Sequence, residues 1–279
     1  MILDSLVAYF ETIVHMSSKS GFLLILTLCL LAGCAGFSRN SIQDESGKTL
    51  QLDQIPAQEA IPKFSAETAR DGIPRGWQFY RIAPYKNNTV YRLENIQGKT
   101  VLSAKANTSA SGLAVNLQPR PAKNLWLSWK WMAFSAIPQA DNAEQAQDDS
   151  PLRILVAFEG DKSKLTLKEK LNFEMANLIS GEEMPYATLM YIWSGKTPVN
   201  TVLDNAHTSR VKMIVVDSGW DDLNEWRAHD RDLVADYQMA FGEVPGKIIG
   251  VAILTDTDNT KTKTSAFYGD IELIKKSPK

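Results

Sequence analysis

Asp256-Thr257-Asp258-Asn259 is the densest group of oxygen ligands in the sequence. Hard cations gather several carboxylate and carbonyl oxygens, so a structural calcium ion held by Asp256, Asp258 and the later Asp270 is one expectation for this run. It is not an EF-hand: Lys261 stands where that loop needs glycine and Phe267 where it needs glutamate. The commoner use of such a run is a strand-end turn whose Asp and Asn side chains accept nearby backbone N–H groups. Glycoside hydrolysis by paired carboxylates is a second chemistry, with Asp148, Asp149, Glu159, Asp217, Asp256, Asp258 and Asp270 available. It requires two of them to converge in a cleft with one pKa raised.

A third chemistry is sugar binding, in which an aromatic ring covers the apolar face of a sugar and long polar side chains meet its hydroxyls. Strand alternation puts Leu125, Leu127, Trp129 and Trp131 on one face and Trp126, Ser128, Lys130 and Met132 on the other. The same reading sets Arg153 against Leu152 and Ile154, and Arg210 against Val211 and Met213. If the mixed faces align, Trp126, Lys130, Arg153 and Arg210 line one surface, with Trp193 as a second exposed ring and Asp148 and Asp149 at its edge. Burial of Trp126 and Trp193, with Arg153 and Asp148 or Asp149 meeting Asp256, would instead favour a polar pocket.

Several chemistries lack their residues. After Cys34 only His207 and His229 remain, which excludes a three-histidine zinc site, and no His-Glu-x-x-His, G-x-S-x-G, P-loop or dinucleotide fingerprint is present. His229 is expected at the surface or the boundary of a helix. A formal net charge of -2 lacks the basic excess that phosphate neutralisation demands, which argues against nucleic acid.

The elements that must position these residues are mostly strands. Trp77 to Ile82, Thr89 to Glu94, Val101 to Ala106, Ser111 to Leu117, Leu125 to Phe134, Leu152 to Glu159, Ala187 to Ser194, Val211 to Val216 and Ile248 to Leu254 precede a last strand at Tyr268-Gly269-Asp270-Ile271. Two helices are expected, over Lys164 to Ile179 and Asp222 to Phe241, the second opened by an Asp222/Glu225 capping box. Helices do not separate successive strands, so a mainly β, jelly-roll-like sandwich with two helical insertions is expected over residues 61–279. Ser135 to Pro151 is expected as a long polar loop.

The N-terminal part has a separate meaning. Lys19, the apolar run Phe22 to Leu31 and then Leu31-Ala32-Gly33-Cys34 resemble a bacterial lipoprotein signal and lipobox. The resemblance implies removal of residues 1–33, acylation of Cys34, and a polar tether over residues 34–60. Met16 is the favoured start, because Asp4 and Glu11 do not suit a signal's basic end. Ala35 after the cysteine implies an outer-membrane destination. Cys29 leaves with the signal, so no thiol remains in the folded domain for catalysis, a disulfide or a metal.

The order of Ser109-Ala110-Ser111-Gly112-Leu113, Leu127-Ser128-Trp129-Lys130-Trp131, Asp148-Asp149-Ser150-Pro151-Leu152-Arg153, Arg231-Asp232-Leu233, Asp236-Tyr237, Phe241-Gly242-Glu243, Thr255 to Thr260 and Tyr268-Gly269-Asp270-Ile271 resembles the bacterial domain-of-unknown-function family 3047. The resemblance runs from about Gly76 to Leu273 and implies a secreted envelope protein without an established activity. The ending Tyr268-Gly269-Asp270-Ile271 is also similar to the last strand of jelly-roll carbohydrate-binding modules, where an aspartate helps hold structural calcium. The expected function is therefore non-catalytic binding of a glycan or glycan-bearing envelope polymer by a lipid-anchored protein. The alternatives are a glycoside hydrolase or polysaccharide lyase, and a structural or assembly partner of an envelope protein. The assembly reading predicts an exposed apolar patch and no small-ligand pocket.

Overall fold

The computed structural model describes residues 56–180, 183–206 and 208–276, and a strand pair formed by β1 (Ser41–Gln43) and β2 (Thr49–Gln51). The signal, Cys34, most of the tether and His207 lie outside the described residues. The remaining strands are β3 (Arg70–Asp71), β4 (Gln78–Arg81), β5 (Val90–Ile96), β6 (Lys99–Asn107), β7 (Ala110–Pro121), β8 (Leu125–Ala133), β9 (Ser150–Phe158), β10 (Ala187–Ser194), β11 (Val202–Asp204), β12 (Val211–Ser218), β13 (Arg227–Asp232), β14 (Lys247–Asp256) and β15 (Lys263–Lys275). They form a seven-stranded sheet, ordered β11-β12-β10-β9-β14-β7-β4, and a six-stranded sheet, ordered β13-β8-β15-β6-β5-β3.

Alternation explains why the two sheets stack. Leu127, Trp129 and Trp131 of the smaller sheet and Leu152, Ile154, Val156 and Phe158 of the larger one are buried in a single core. Trp129 meets Tyr191 of β10 across it, with ring centroids 5.1 Å apart. The fold is the expected mainly β, jelly-roll-like sandwich. All strand pairs within the two sheets are antiparallel except β10 with β12.

Gly112 shows how closely the central strands are fitted. A Cβ there would lie 2.0 Å from the Ile253 carbonyl oxygen of β14. Gly112→Ala is therefore expected to destabilise the protein by about 1–3 kcal/mol or more, read as a lower denaturant midpoint.

Helix α1 spans Leu167–Ser180 rather than Lys164 to Ile179. Its start is a capping box: the Thr166 N–H donates to Glu169 Oε2 at 2.8 Å, and the Glu169 N–H donates back to Thr166 Oγ1 at 3.2 Å. Thr166-x-x-Glu169 was readable in the sequence. The expected helix over Asp222 to Phe241 is corrected more heavily. Its first part is a turn, its middle is β13, and only Leu233–Phe241 forms helix α2. The true cap is Asp232, whose carboxylate accepts from the Val234 and Ala235 N–H groups, and Gly242 ends the helix at φ 70°. The period-two order Arg227-Ala228-His229-Asp230-Arg231-Asp232 outweighed helical spacing because β8 offers it a hydrogen-bonded edge. Its inward charges are matched: Arg231 makes a two-pronged pair with Asp236 at 2.8 and 2.7 Å.

Candidate functional site

Arg153 stands on the outer face of β9, opposite the core-facing Leu152 and Ile154, yet is only 2% exposed. Its Nε donates to Asp256 Oδ1 at 3.0 Å, and its Nη2 donates to Asp148 Oδ1 at 2.9 Å and to the Asp148 carbonyl at 2.8 Å. Its Nη1 meets the sulfurs of Met190 and Met213, each at 3.5 Å. Asp256 Oδ1 also accepts from the Ser150 N–H at 2.9 Å, which follows from the pairing of Asp256 with Ser150 across β14 and β9.

The neighbouring carboxylates serve the loops. Asp149 accepts from the Asn259 N–H at 3.1 Å, the Thr260 N–H at 2.7 Å and the Thr260 hydroxyl at 2.5 Å. Asn142 Nδ2 donates to Asp148 Oδ1 and to the Asp149 carbonyl, each at 3.0 Å. Lys86 pairs with Asp258 at 2.6 Å. The long polar loop before β9 is thereby fastened to the turn after β14. Burial, with the nearby Asp149 and Asp148 charges, pushes the Asp256 carboxyl up to about 7, although the Arg153 guanidinium works the other way.

Carboxylate oxygens of Asp149, Asp256 and Asp258 lie within 4.8 Å of one another. Asp270 is not part of this group; it accepts from the Ser65 N–H at 3.0 Å and the Ser65 hydroxyl at 2.5 Å. Calcium takes six to eight oxygens. Here Lys86, Arg153, the Ser150 N–H and the donors on Asp149 already use most of those available. Two cations, Lys86 and Arg153, thus face the three carboxylates, and Asp258 Oδ1 is buried without a hydrogen-bond partner. The cluster is closed rather than cleft-like, since Asp149, Arg153 and Asp256 are all buried. Two shallow concavities, of about 270 and 290 Å³, lie elsewhere, on either side of α1.

The other expected site residues separate. Trp193 is a correction: it is 1% exposed in the core, and its Nε1 donates to the Gly219 carbonyl at 2.8 Å. The shared surface of Trp126, Lys130, Arg153 and Arg210 is a second correction, because Trp126 and Lys130 belong to the six-stranded sheet and Arg153 to the other. Arg210 sits apart, donating to the Tyr186 carbonyl at 3.0 Å and to Glu243 at 2.6 Å, with its guanidinium 4.0 Å from the Tyr186 ring centroid.

Trp126 and Lys130 do share the outer face of β8. Trp126 is half-buried, with Lys276 Nζ 4.4 Å from its ring centroid, and Lys130 is exposed. Sequence reasoning missed Trp226, which it placed on a helix. The half-buried Trp226 ring packs with Met132 and Phe267 on this same face and passes beside Gly269, which also adjoins Lys130. It missed His229 as well. That residue is in β13, not on a helix, and contacts Asp217 Oδ2 at 2.7 Å, the oxygen to which Trp131 Nε1 donates at 2.7 Å.

The profile of the family described as "Protein of unknown function (DUF3047)" matches residues 75–272. The chain belongs to the DUF3047 family. No curated protein matches this DUF3047 chain in sequence. Among solved structures it is similar to a family 12 xyloglucanase from Bacillus licheniformis, with 7% identity, a TM-score of 0.41, and 78% of this chain and 98% of that one covered. It is similar to an exo-beta-agarase at 12% identity and a TM-score of 0.34, covering 80% of this chain and only 25% of the agarase chain. A structure described as CBM4 is similar at 10% identity and a TM-score of 0.31, with 73% and 96% covered. The DUF3047 chain shares few residues with any of the three, so its function has to be read from its own side chains.

Proposed function

We propose that this DUF3047 protein is a lipid-anchored envelope protein that binds a glycan, or a glycan-bearing envelope polymer, without acting chemically on it. The observation that carries the reading is the open outer face of β8, where the half-exposed rings of Trp126 and Trp226 flank the exposed Lys130. Four residues of strand set Trp126 and Lys130 about 13 Å apart, the length of a few sugar rings. Lys276, Asp230 and Glu272 supply polar groups around them. The non-catalytic reading is supported by the clustered carboxylates, of which Asp149 and Asp256 are buried and engaged with Arg153 and backbone donors and the partly exposed Asp258 pairs with Lys86.

The test is tryptophan fluorescence and thermal unfolding of the protein against a panel of envelope glycans, with calcium and with chelator. A saturable change with one glycan is expected, weakened roughly tenfold in Trp126→Ala and in Trp226→Ala, as a ring contact of about 1.4 kcal/mol would give. Recovery of intact glycan is expected, and chelation is expected to leave the midpoint in place. Binding unaffected by both substitutions would overturn the assignment of this face, and cleaved glycan would overturn the non-catalytic reading. A second reading, an assembly role in the envelope, is favoured by the exposed apolar side chains of α1.

A further inference from the structure

Helix α1 is turned the wrong way for a core helix. Phe173 is its inward anchor, with Leu165 buried just before its start, whereas Leu167 is 74% exposed, Leu171 51%, Met175 53% and Leu178 85%. Their spacing of four, four and three residues puts all four side chains on one stripe. A contiguous exposed apolar stripe marks a surface that meets something other than water.

Its surroundings state which surface. Around the helix the chain carries Lys162, Lys164, Lys168 and Lys170 together with Asp161, Glu169, Glu174, Glu182 and Glu183, so the arrangement of these charges matters more than their sum. Glu169 is turned aside into the capping box and the Ser209 hydroxyl, Lys162 is tied to Glu183 and Lys164 to Asp161, which leaves Lys168 and Lys170 as the exposed lysines near the stripe. An apolar stripe with lysines near its edges is the pattern of a helix lying in a membrane interface, where apolar side chains enter the acyl boundary and lysines meet anionic headgroups. The chain also supplies proximity. Even fully extended, the stretch from Cys34 to Pro56 spans at most about 75 Å, so an acyl anchor at Cys34 keeps the domain beside the bilayer.

We propose that the exposed face of α1 rests on an anionic lipid surface, as an in-plane second contact beside the acyl chains. The inference uses the lipid-anchor reading for its proximity, and its test separates the two. The mature acylated protein is placed in phosphatidylglycerol vesicles with an environment-sensitive nitrobenzoxadiazole dye at Met175→Cys, or at Leu178→Cys as a second position. Acylation consumes the Cys34 thiol, so the introduced thiol is the one labelled. Lys99→Cys, at the exposed first residue of β6, is the control.

Flotation with the vesicles reports the anchor, and the dye reports the helix. The expected result is flotation with a blue shift at positions 175 and 178 and none at 99. The shift should shrink in phosphatidylcholine vesicles and in Lys168→Glu/Lys170→Glu. Flotation without a shift at either helical position overturns the α1 contact and leaves the anchor standing. Failure to float overturns both. A shift that needs no vesicles and grows with protein concentration overturns the lipid assignment in favour of a second copy of the chain.

Discussion

Arg153→Met is expected to destabilise the protein by about 3–5 kcal/mol, the usual loss when one partner of a buried ion pair is removed and the other is left behind. The substitution keeps much of the volume and the contact with Met190 and Met213, but it strips Asp256 and Asp148 of their shared donor. Denaturant unfolding at neutral pH reads the loss. Adding Asp256→Asn to Arg153→Met should return part of the stability, because it removes the carboxylate left without compensation. Limited proteolysis should find the polar loop before β9 more readily cut in the single variant. A single variant as stable as the parent would mean that this cluster does not fasten the loop.

Asp256→Asn is expected to change how stability depends on pH, and the direction comes from the raised carboxyl. Below about pH 4 the folded and unfolded chains both carry this proton. Between there and about 7 the folded protein holds the proton that the unfolded chain has released. Over that window each pH unit costs up to about 1.4 kcal/mol, and above it both states are ionised and the slope vanishes. The parent should therefore lose stability relative to Asp256→Asn as pH rises through this window, by up to about 4 kcal/mol in total. The amide oxygen can still accept from Arg153 and the Ser150 N–H, so the variant tests the proton rather than the packing. Parallel pH profiles for parent and variant would show that Asp256 does not titrate in this range.

The sandwich was readable because its long strands alternate so plainly: Leu152 to Phe158 and Leu125 to Trp131 each declare a core-facing and an outward-facing set of side chains. Placing Arg153 opposite Leu152 and Ile154 came from the same alternation, and its closeness to Asp148 came from adjacency. Which sheet each strand would join was not readable, because that is decided by ladders between residues more than a hundred positions apart, such as Asp256 with Ser150. For that reason Trp126 and Arg153 were wrongly given one surface. Trp193 looked free because its strand is apolar on both sides, and every residue of β10 is buried. Trp226 was hidden by a coincidence of spacing: Leu223, Trp226, Leu233 and Tyr237 match a helical period, although a turn and a strand intervene. Lys86 gave no local sign of its pairing with Asp258, a residue contributed from the far end of the chain.

The outermost strands carry a consequence for how this protein meets others. β3 has two residues, β11 three and β4 four, and the longer β13 is built mainly from Arg, His and Asp. Short or charged rims are poor templates for strand addition. Copies crowded together should therefore resist stitching edge to edge into aggregates, and a partner that supplies an extended peptide would find little backbone to zip onto. Recognition is left to the broad faces of the sheets and to the helix that stands away from them.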